Sequence, residues 1–268
     1  MEGTLKKKTR MTVTDIRSLA EGIISMTLQY PEGEAPAEVK PGQFAGLYPN
    51  DADKLLPRPI SICRWDPEKK ELRFVFRIAG AGTASLAAQK AGDKVDMLGV
   101  LGNGYDTDRL AGKKVLLLGG GIGVPPMLEL AAALSKEDGT EVTAVMGYRD
   151  SDMFLTEELA EHARLLIATE DGSAGTKGNV LDAVKENGVS ADVVCACGPM
   201  PMLRAVKKYA AEQGIPAYLS LEERMACGIG ACLGCVTKTA KEDGHSYVKN
   251  ARICTEGPVF EAEEVEIG

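Results

Sequence analysis

Val115-Leu116-Leu117-Leu118-Gly119-Gly120-Gly121-Ile122-Gly123-Val124-Pro125-Pro126 is the stretch on which the architecture of this chain turns. The apolar run reads as a buried strand, the glycines as a tight turn, and the prolines as the first turn of a helix, where a missing N–H costs no hydrogen bond. Small residues at such a turn let backbone N–H groups approach a pyrophosphate. A strict G-x-G-x-x-G is not completed, because Val124 or Pro126 stands at the third glycine position. Taken alone, the segment fits a generic tight turn equally well.

Downstream of this turn, short apolar runs alternate with helical patterns. The runs are Val142–Met146, Leu165–Ala168, Val193–Cys197 and Ala217–Leu221; the helical patterns are Met127–Leu134, Glu157–Ala163, Val180–Glu186 and Met202–Gln213. That βαβ alternation predicts a parallel, doubly wound sheet. Its second strand ends in Gly147-Tyr148-Arg149-Asp150, which offers both an acid for a ribose and an arginine for a phosphate. On residues alone, the choice between NAD and NADP is open.

Upstream, the texture is different. Six β-runs are predicted at Met11–Ile16, Ile23–Tyr30, Gln43–Tyr48, Pro59–Arg64, Glu71–Ile78 and Lys94–Leu98, with one helix at Ala84–Lys90. Strands separated by turn residues in this way suggest a small antiparallel barrel. Two segments stand out there, Arg58-Pro59-Ile60-Ser61 and Arg77-Ile78-Ala79-Gly80-Ala81-Gly82-Thr83. The first offers a planar guanidinium fork and the second a Gly-Thr just ahead of a helix, a natural phosphate seat. A surface arginine and an ordinary helix cap fit these residues too. The expected fold class is therefore α+β multidomain: a barrel over 1–108, an α/β nucleotide-binding domain over 109–221 and a small cysteine-rich domain over 222–268.

The strongest chemical signal lies in that last segment. Cys227-x4-Cys232-x2-Cys235, followed by Cys254, is the plant-type [2Fe–2S] spacing, with four thiolates for two irons. Gly228, Gly230 and Gly234 suit a loop that must bring N–H groups close to sulfur. Structural zinc usually uses two C-x2-C pairs or Cys₂His₂, and only one such pair is present. The segment is poor in apolar residues, so it is expected to need its cofactor to fold. Cys63 and Cys195 read as inert packing. Cys197 differs, because Gly198-Pro199 follows it at the carboxyl end of a strand.

Composition removes several function classes. There are 31 Lys+Arg against 39 Asp+Glu, a net charge of −8 in 268 residues, which disfavours nucleic acid and anionic membranes as partners. The one basic run, Lys6-Lys7-Lys8-Thr9-Arg10, reads as a solvated strand edge. Two histidines, His162 and His245, leave little scope for haem or His-based triads. The stretch Val115–Ser135 is nearly free of charge, but its glycines and prolines make it a turn between strand and helix. Met1–Arg10 lacks an apolar core, so no signal peptide is expected and a cytoplasmic location follows.

Taken together, these features resemble the ferredoxin–NADP reductase superfamily. More narrowly, Glu223-Arg224-Met225-Ala226-Cys227-Gly228-Ile229-Gly230-Ala231-Cys232 and Ile253-Cys254-Thr255-Glu256-Gly257-Pro258-Val259-Phe260 resemble the electron-transfer subunits of dihydroorotate dehydrogenase B. The resemblance runs over essentially the whole chain. It implies FAD on the barrel, NAD on the α/β domain and a [2Fe–2S] cluster on Cys227, Cys232, Cys235 and Cys254. It further implies that Arg58 contacts the FAD pyrophosphate and Ser61 the isoalloxazine, with Pro59, Ile60, Val75, Phe76, Arg77, Gly82 and Thr83 completing that site. Many relatives carry a stacking Tyr where Ile60 stands here. Gly121, Ile122, Gly123 and Val124, with Cys197, Gly198 and Pro199, are implied to flank the nicotinamide nucleotide. The implied partner is an FMN-containing catalytic subunit that oxidises dihydroorotate in pyrimidine biosynthesis, with two copies of each chain. The alternatives are an NAD(P)H reductase subunit of a hydrogenase-like or ferredoxin-bifurcating complex, and a zinc-stabilised binding module.

Overall fold

The computed structural model describes residues 6–51, 53–243 and 247–267. His245 and the extreme ends of the first and third segments lie outside them. Six strands close a barrel: β1 (Lys8–Ala20), β2 (Ile23–Gln29), β3 (Phe44–Leu47), β4 (Arg58–Asp66), β5 (Glu71–Arg77) and β6 (Lys94–Leu101), in the order β1-β2-β5-β4-β3-β6. Every pairing is antiparallel. Met11, Val13, Met26, Leu28, Phe74 and Met97 fill the interior, as period-two alternation requires.

Closure corrects the expectation for the basic run. β1 has β2 on one side and β6 on the other, so Lys8–Arg10 line no free edge. Lys8 instead pairs with Asp96 at 2.8 Å and lies over the Tyr48 ring, and Lys7 pairs with Glu34 at 2.5 Å. The barrel's helix, α1 (Ala81–Ala87), starts three residues earlier than its pattern suggests. Thr83 Oγ1 accepts the backbone N–H groups of Ala79 and Gly80 at 2.9 and 3.2 Å, which sets the turn that leads into it.

The second layer is a sheet of seven strands in the order β10-β9-β8-β7-β11-β12-β15. Its parallel members are β7 (Lys114–Gly120), β8 (Glu141–Tyr148), β9 (Arg164–Thr169), β10 (Thr176–Lys177), β11 (Val193–Cys197) and β12 (Ala217–Ser220). The helices are α2 (Val124–Leu134), α3 (Thr156–Ala160), α4 (Val180–Glu186) and α5 (Met200–Gln213). Alternate residues of β7 enter different cores. Val115 and Leu117 pack with Met127 and Leu128 of α2, while Leu116 and Leu118 pack with Val180 of α4 and Leu203 of α5. Burial on both faces is why the sequence of β7 is an unbroken apolar run.

The cysteine-rich segment contributes a small hairpin, β13 (Val236–Lys238) with β14 (Asn250–Arg252), and then β15 (Val259–Glu261). β15 pairs antiparallel with β12 and so extends the α/β sheet. Met225, Ile253, Phe260, Val265 and Ile267 are buried in the core beneath that sheet. Lys207 Nζ donates to the Val265 carbonyl at 2.5 Å, and Arg204 Nε donates to that of Ile267. The expectation that the whole segment depends on its cofactor is therefore narrowed: from Val259 onward it is held by the sheet.

The barrel and the α/β layer share a polar seam. Trp65 N donates to the Glu129 carboxylate of α2 at 3.2 Å, and Arg73 pairs with Glu158 of α3 at 2.5 Å. Burial raises the Glu129 carboxyl, against the pull of the Arg64 charge and the Trp65 N–H. Among the described residues no helix is long and apolar enough to cross a membrane.

Candidate functional site

The strand order reverses between β7 and β11. From their carboxyl ends the chain leaves into α2 on one face and α5 on the other, and that divergence is where open parallel sheets receive ligands. Gly121–Gly123 forms a single 3₁₀ turn that feeds α2. Gly123 has no room for a side chain: a Cβ there would lie 2.5 Å from the Cys197 carbonyl carbon and 2.6 Å from Gly198 N. The two motifs read separately along the chain, Gly121–Val124 and Cys197-Gly198-Pro199, are thus one packed unit.

A cleft of about 730 Å³ opens over this unit, between the α/β layer and the barrel. Gly120, Gly121 and Pro199 form its floor, and Ile23, Arg77 and Ile78 face them from the barrel. Farther along, Asp150, Asp152, Glu170 and Glu21 line it together with Arg149. Asp150 Oδ1 accepts the Asp152 N–H at 2.9 Å, and Asp152 Oδ2 accepts the Glu21 N–H at 2.8 Å, so the acidic wall is braced across both layers. Glu170 and Asn179 enter from the ends of β9 and the start of α4, and no motif marks them in the sequence.

Cys197 is fully buried below the cleft. Burial above all, then the Glu222 charge, pushes its thiol up to about 12, against the Ser220 hydroxyl. It stays protonated at neutral pH and cannot act as a thiolate nucleophile. Glu222 is open to solvent yet closely surrounded by protein, and that crowding raises its carboxyl. A lone Glu after a strand carries no signal in the sequence. Cys63 and Cys195 are buried with raised thiols, as inert packing demands.

Around the barrel opening, Arg58 heads β4 and its Nη1 donates to the Leu56 carbonyl at 2.8 Å. Its guanidinium lies across the first turn of α1: a Cβ on Gly82 would sit 2.5 Å from Arg58 Cζ. Arg58, Gly82 and Thr83 are therefore brought together, a fork and a helix N-terminus on one surface. Ser61 is half-buried on β4 opposite Phe44 of β3. Pro59 is exposed and Ile60 packs partly onto the barrel core. Val75 and Phe76 are buried, so only their main chain can face a ligand; Arg77 is exposed and reaches toward Gly121.

The cysteine loop is built around sulfur. Ile229 N and Cys232 N both donate to Cys227 Sγ at 3.4 Å, and Gly234 N donates to Cys232 Sγ at 3.4 Å. Gly228 has φ +69°, and a Cβ there would meet Leu98 Cδ2 at 2.9 Å, so the loop turns tightly against β6 only because residue 228 is glycine. Desolvation opposes ionisation of Cys227, yet the Ile229 and Cys232 N–H groups and the Cys232 side chain hold its thiol down to about 6. Cys235 contacts Cys254, whose thiol is pushed up to about 12 by burial and by that neighbour. The four sulfurs thus fall into two pairs, Cys227 with Cys232 and Cys235 with Cys254. Two thiolates for each of two irons is the arrangement that fits.

Comparison with known proteins covers two parts of the chain by family models and nearly all of it by relatives. The family model for the iron-sulfur cluster binding domain of dihydroorotate dehydrogenase B matches residues 222–266, and that for the oxidoreductase NAD-binding domain matches residues 117–208. The dihydroorotate dehydrogenase B (NAD(+)) electron transfer subunit of Geobacillus sp. strain WCH70 is 42% identical over 265 residues, which is 97% of this chain and 99% of that one. The corresponding subunit of Streptococcus mutans is 43% identical over 261 residues, 96% and 98% of the two chains. The solved NADH-dependent reduced ferredoxin-NADP oxidoreductase superposes with a TM-score of 0.84 at 29% identity, over 99% of this chain and 91% of that one. A ferredoxin NADP+ reductase from Neisseria gonorrhoeae, with bound FAD and NADP, shares the fold at 18% identity and a TM-score of 0.65, over 78% and 92%. With a barrel, a switch-point cleft and paired cysteines in one chain, and more than two fifths identity along nearly all its length, this protein belongs to the family of dihydroorotate dehydrogenase B electron-transfer subunits.

Proposed function

We propose that this chain carries electrons between NAD and the FMN of a separate catalytic subunit that oxidises dihydroorotate to orotate, through FAD on the barrel and a [2Fe–2S] cluster on the cysteine loop. When bound, FAD exchanges hydride with a nicotinamide and single electrons with an iron–sulfur centre, which is why it stands between the two. The observation that carries the proposal is the arrangement of three sites around one chain: the cleft over Gly120 and Pro199, the Arg58–Gly82 surface beside it, and the paired cysteines against β6.

Each region has a distinct task. Arg58, with the N-terminus of α1 at Gly82 and Thr83, holds the FAD pyrophosphate, and Ser61 faces the isoalloxazine. Pro59, Ile60 and the main chain of Val75 and Phe76 shape the remaining wall, and Arg77 guards the boundary with the nucleotide cleft. Gly121, Ile122, Gly123 and Val124, with Cys197, Gly198 and Pro199, admit the nicotinamide nucleotide. Cys227, Cys232, Cys235 and Cys254 hold the cluster. The acidic wall of Asp150 and Glu170 favours NAD, since a 2′-phosphate there would meet like charge. The units 1–108, 109–221 and 222–268 carry these three tasks in turn. The partner is an FMN-containing subunit, two copies of each chain forming the assembly.

A reductase subunit of a ferredoxin-bifurcating complex shares this fold, as the 29% identical structure illustrates. The identity of 42% to dihydroorotate dehydrogenase B subunits over 97% of the chain favours the first function. Reconstitution tests it. Alone, the chain reduces artificial dyes with NADH and leaves dihydroorotate untouched; with the catalytic subunit added, NAD-dependent dihydroorotate oxidation begins. Dihydroorotate oxidation by the isolated chain, or no gain of NAD activity on adding the partner, would overturn it.

A further inference from the structure

The cluster loop is touched by a residue that no motif includes. Lys6, two residues before β1, places Nζ 3.4 Å from the Gly228 carbonyl and 3.2 Å from the Cys254 carbonyl. Gly228 follows Cys227, a member of one sulfur pair; Cys254 belongs to the other. One ammonium therefore spans the two halves of the cradle, although 222 and 248 residues separate it from them. The barrel fixes it there. Lys8 pairs with Leu98 in the β1–β6 ladder, Gly99 N donates to the Lys7 carbonyl at 3.2 Å, and Leu98 is the residue against which Gly228 turns.

Among the described residues no carboxylate lies within 4.0 Å of Lys6 Nζ, whereas Arg252, which also hydrogen-bonds the loop at Gly230, is paired with Glu256.

We propose that Lys6 is a positioning residue that ties the two halves of the cluster cradle together and, as a positive charge beside it, raises the reduction potential of the centre held there. Reduction adds one electron and no proton to the site, so a fixed cation favours the reduced form. This rests on the cysteines holding a [2Fe–2S] cluster, as proposed above. Lys6 thereby sets how readily electrons leave the FAD for the cysteine loop, while the NAD cleft is untouched.

The test uses the full chain in complex with its partner subunit, as wild type, Lys6→Met and Lys6→Arg, with iron and sulfide counted and the potential followed by electron paramagnetic resonance. Lys6→Met should shift the one-electron equilibrium about tenfold toward the oxidised cluster, about 59 mV, with NADH-dependent dye reduction unchanged. Lys6→Arg should titrate with wild type. Cluster loss in Lys6→Met but not in Lys6→Arg also supports the proposal, because the retained charge is then what the cradle needs. A fully loaded Lys6→Met with wild-type potential, or cluster loss in both variants, overturns it. A wild-type protein without iron–sulfur signal refutes the cysteine assignment instead.

Discussion

Gly82→Ala is the sharpest probe of the FAD surface, because it adds one methyl and removes no charge. The new Cβ would sit 2.5 Å from Arg58 Cζ and closer still to Nε and Nη2, and ordinary contact begins near 3.4 Å, so the guanidinium must retreat by ~1 Å or more. Arg58 is anchored through the Leu56 carbonyl at 2.8 Å, and retreat breaks its alignment with the turn of α1. A hydrogen bond to a charged group contributes about 1.5–3 kcal/mol. At about 1.4 kcal/mol per factor of ten, FAD affinity should fall about 10- to 150-fold. Arg58→Ala should cost a similar amount, and the double variant no more than Arg58→Ala alone, since both act through one contact. Fluorescence titration of the apoprotein with FAD measures all three. If Gly82→Ala binds FAD like wild type while Arg58→Ala does not, the guanidinium does not work from its place over α1. Losses that multiply in the double variant would equally refute a shared contact.

Further outcomes are expected elsewhere. Cys232→Ser should abolish the iron–sulfur absorbance yet leave NADH-dependent dye reduction intact, and amide exchange in β15 should stay slow because β12 holds that strand; fast exchange there would mean the segment depends wholly on its cluster. Replacing Asp150 by Asn together with Glu170 by Gln should lower the KM for NADPH more than that for NADH, and steady-state kinetics with both nucleotides would expose a failure of the acidic wall. The Glu129 carboxyl is raised by burial in the folded state, so its contribution to stability is full below its ordinary value of 4.5 and is lost as pH rises through the raised one. Glu129→Gln keeps an acceptor for Trp65 N–H and should remove that part of the pH dependence of Tm; identical pH profiles for the two proteins would contradict the burial effect.

Much of this was legible along the chain because the signals are local. The cysteine spacing is a ligand pattern whatever surrounds it. The unbroken apolar run Val115–Leu118 marks a strand buried on both faces, and the glycines after it mark a turn with no room for side chains. Turn residues between short β-runs mark the barrel strands, though their ends shift where ladders run on, as β1 does through Ala20.

What the sequence by itself determined is the inventory: a barrel, a doubly wound sheet, a four-thiolate loop, and therefore the chemistry each can hold. Tertiary structure alone decided which distant residues share a site. Closure of the barrel turned Lys6 from one of a basic run into a bridge between Gly228 and Cys254, and pairing of β15 with β12 anchored the end of the chain in a sheet begun more than a hundred residues earlier. Glu170 became part of a cleft only through the parallel register of β9 with β8. The physical reason is one of range: backbone propensity and ligand spacing act within a few residues, whereas charge, burial and packing act through space between segments whose separation along the chain carries no trace of their meeting.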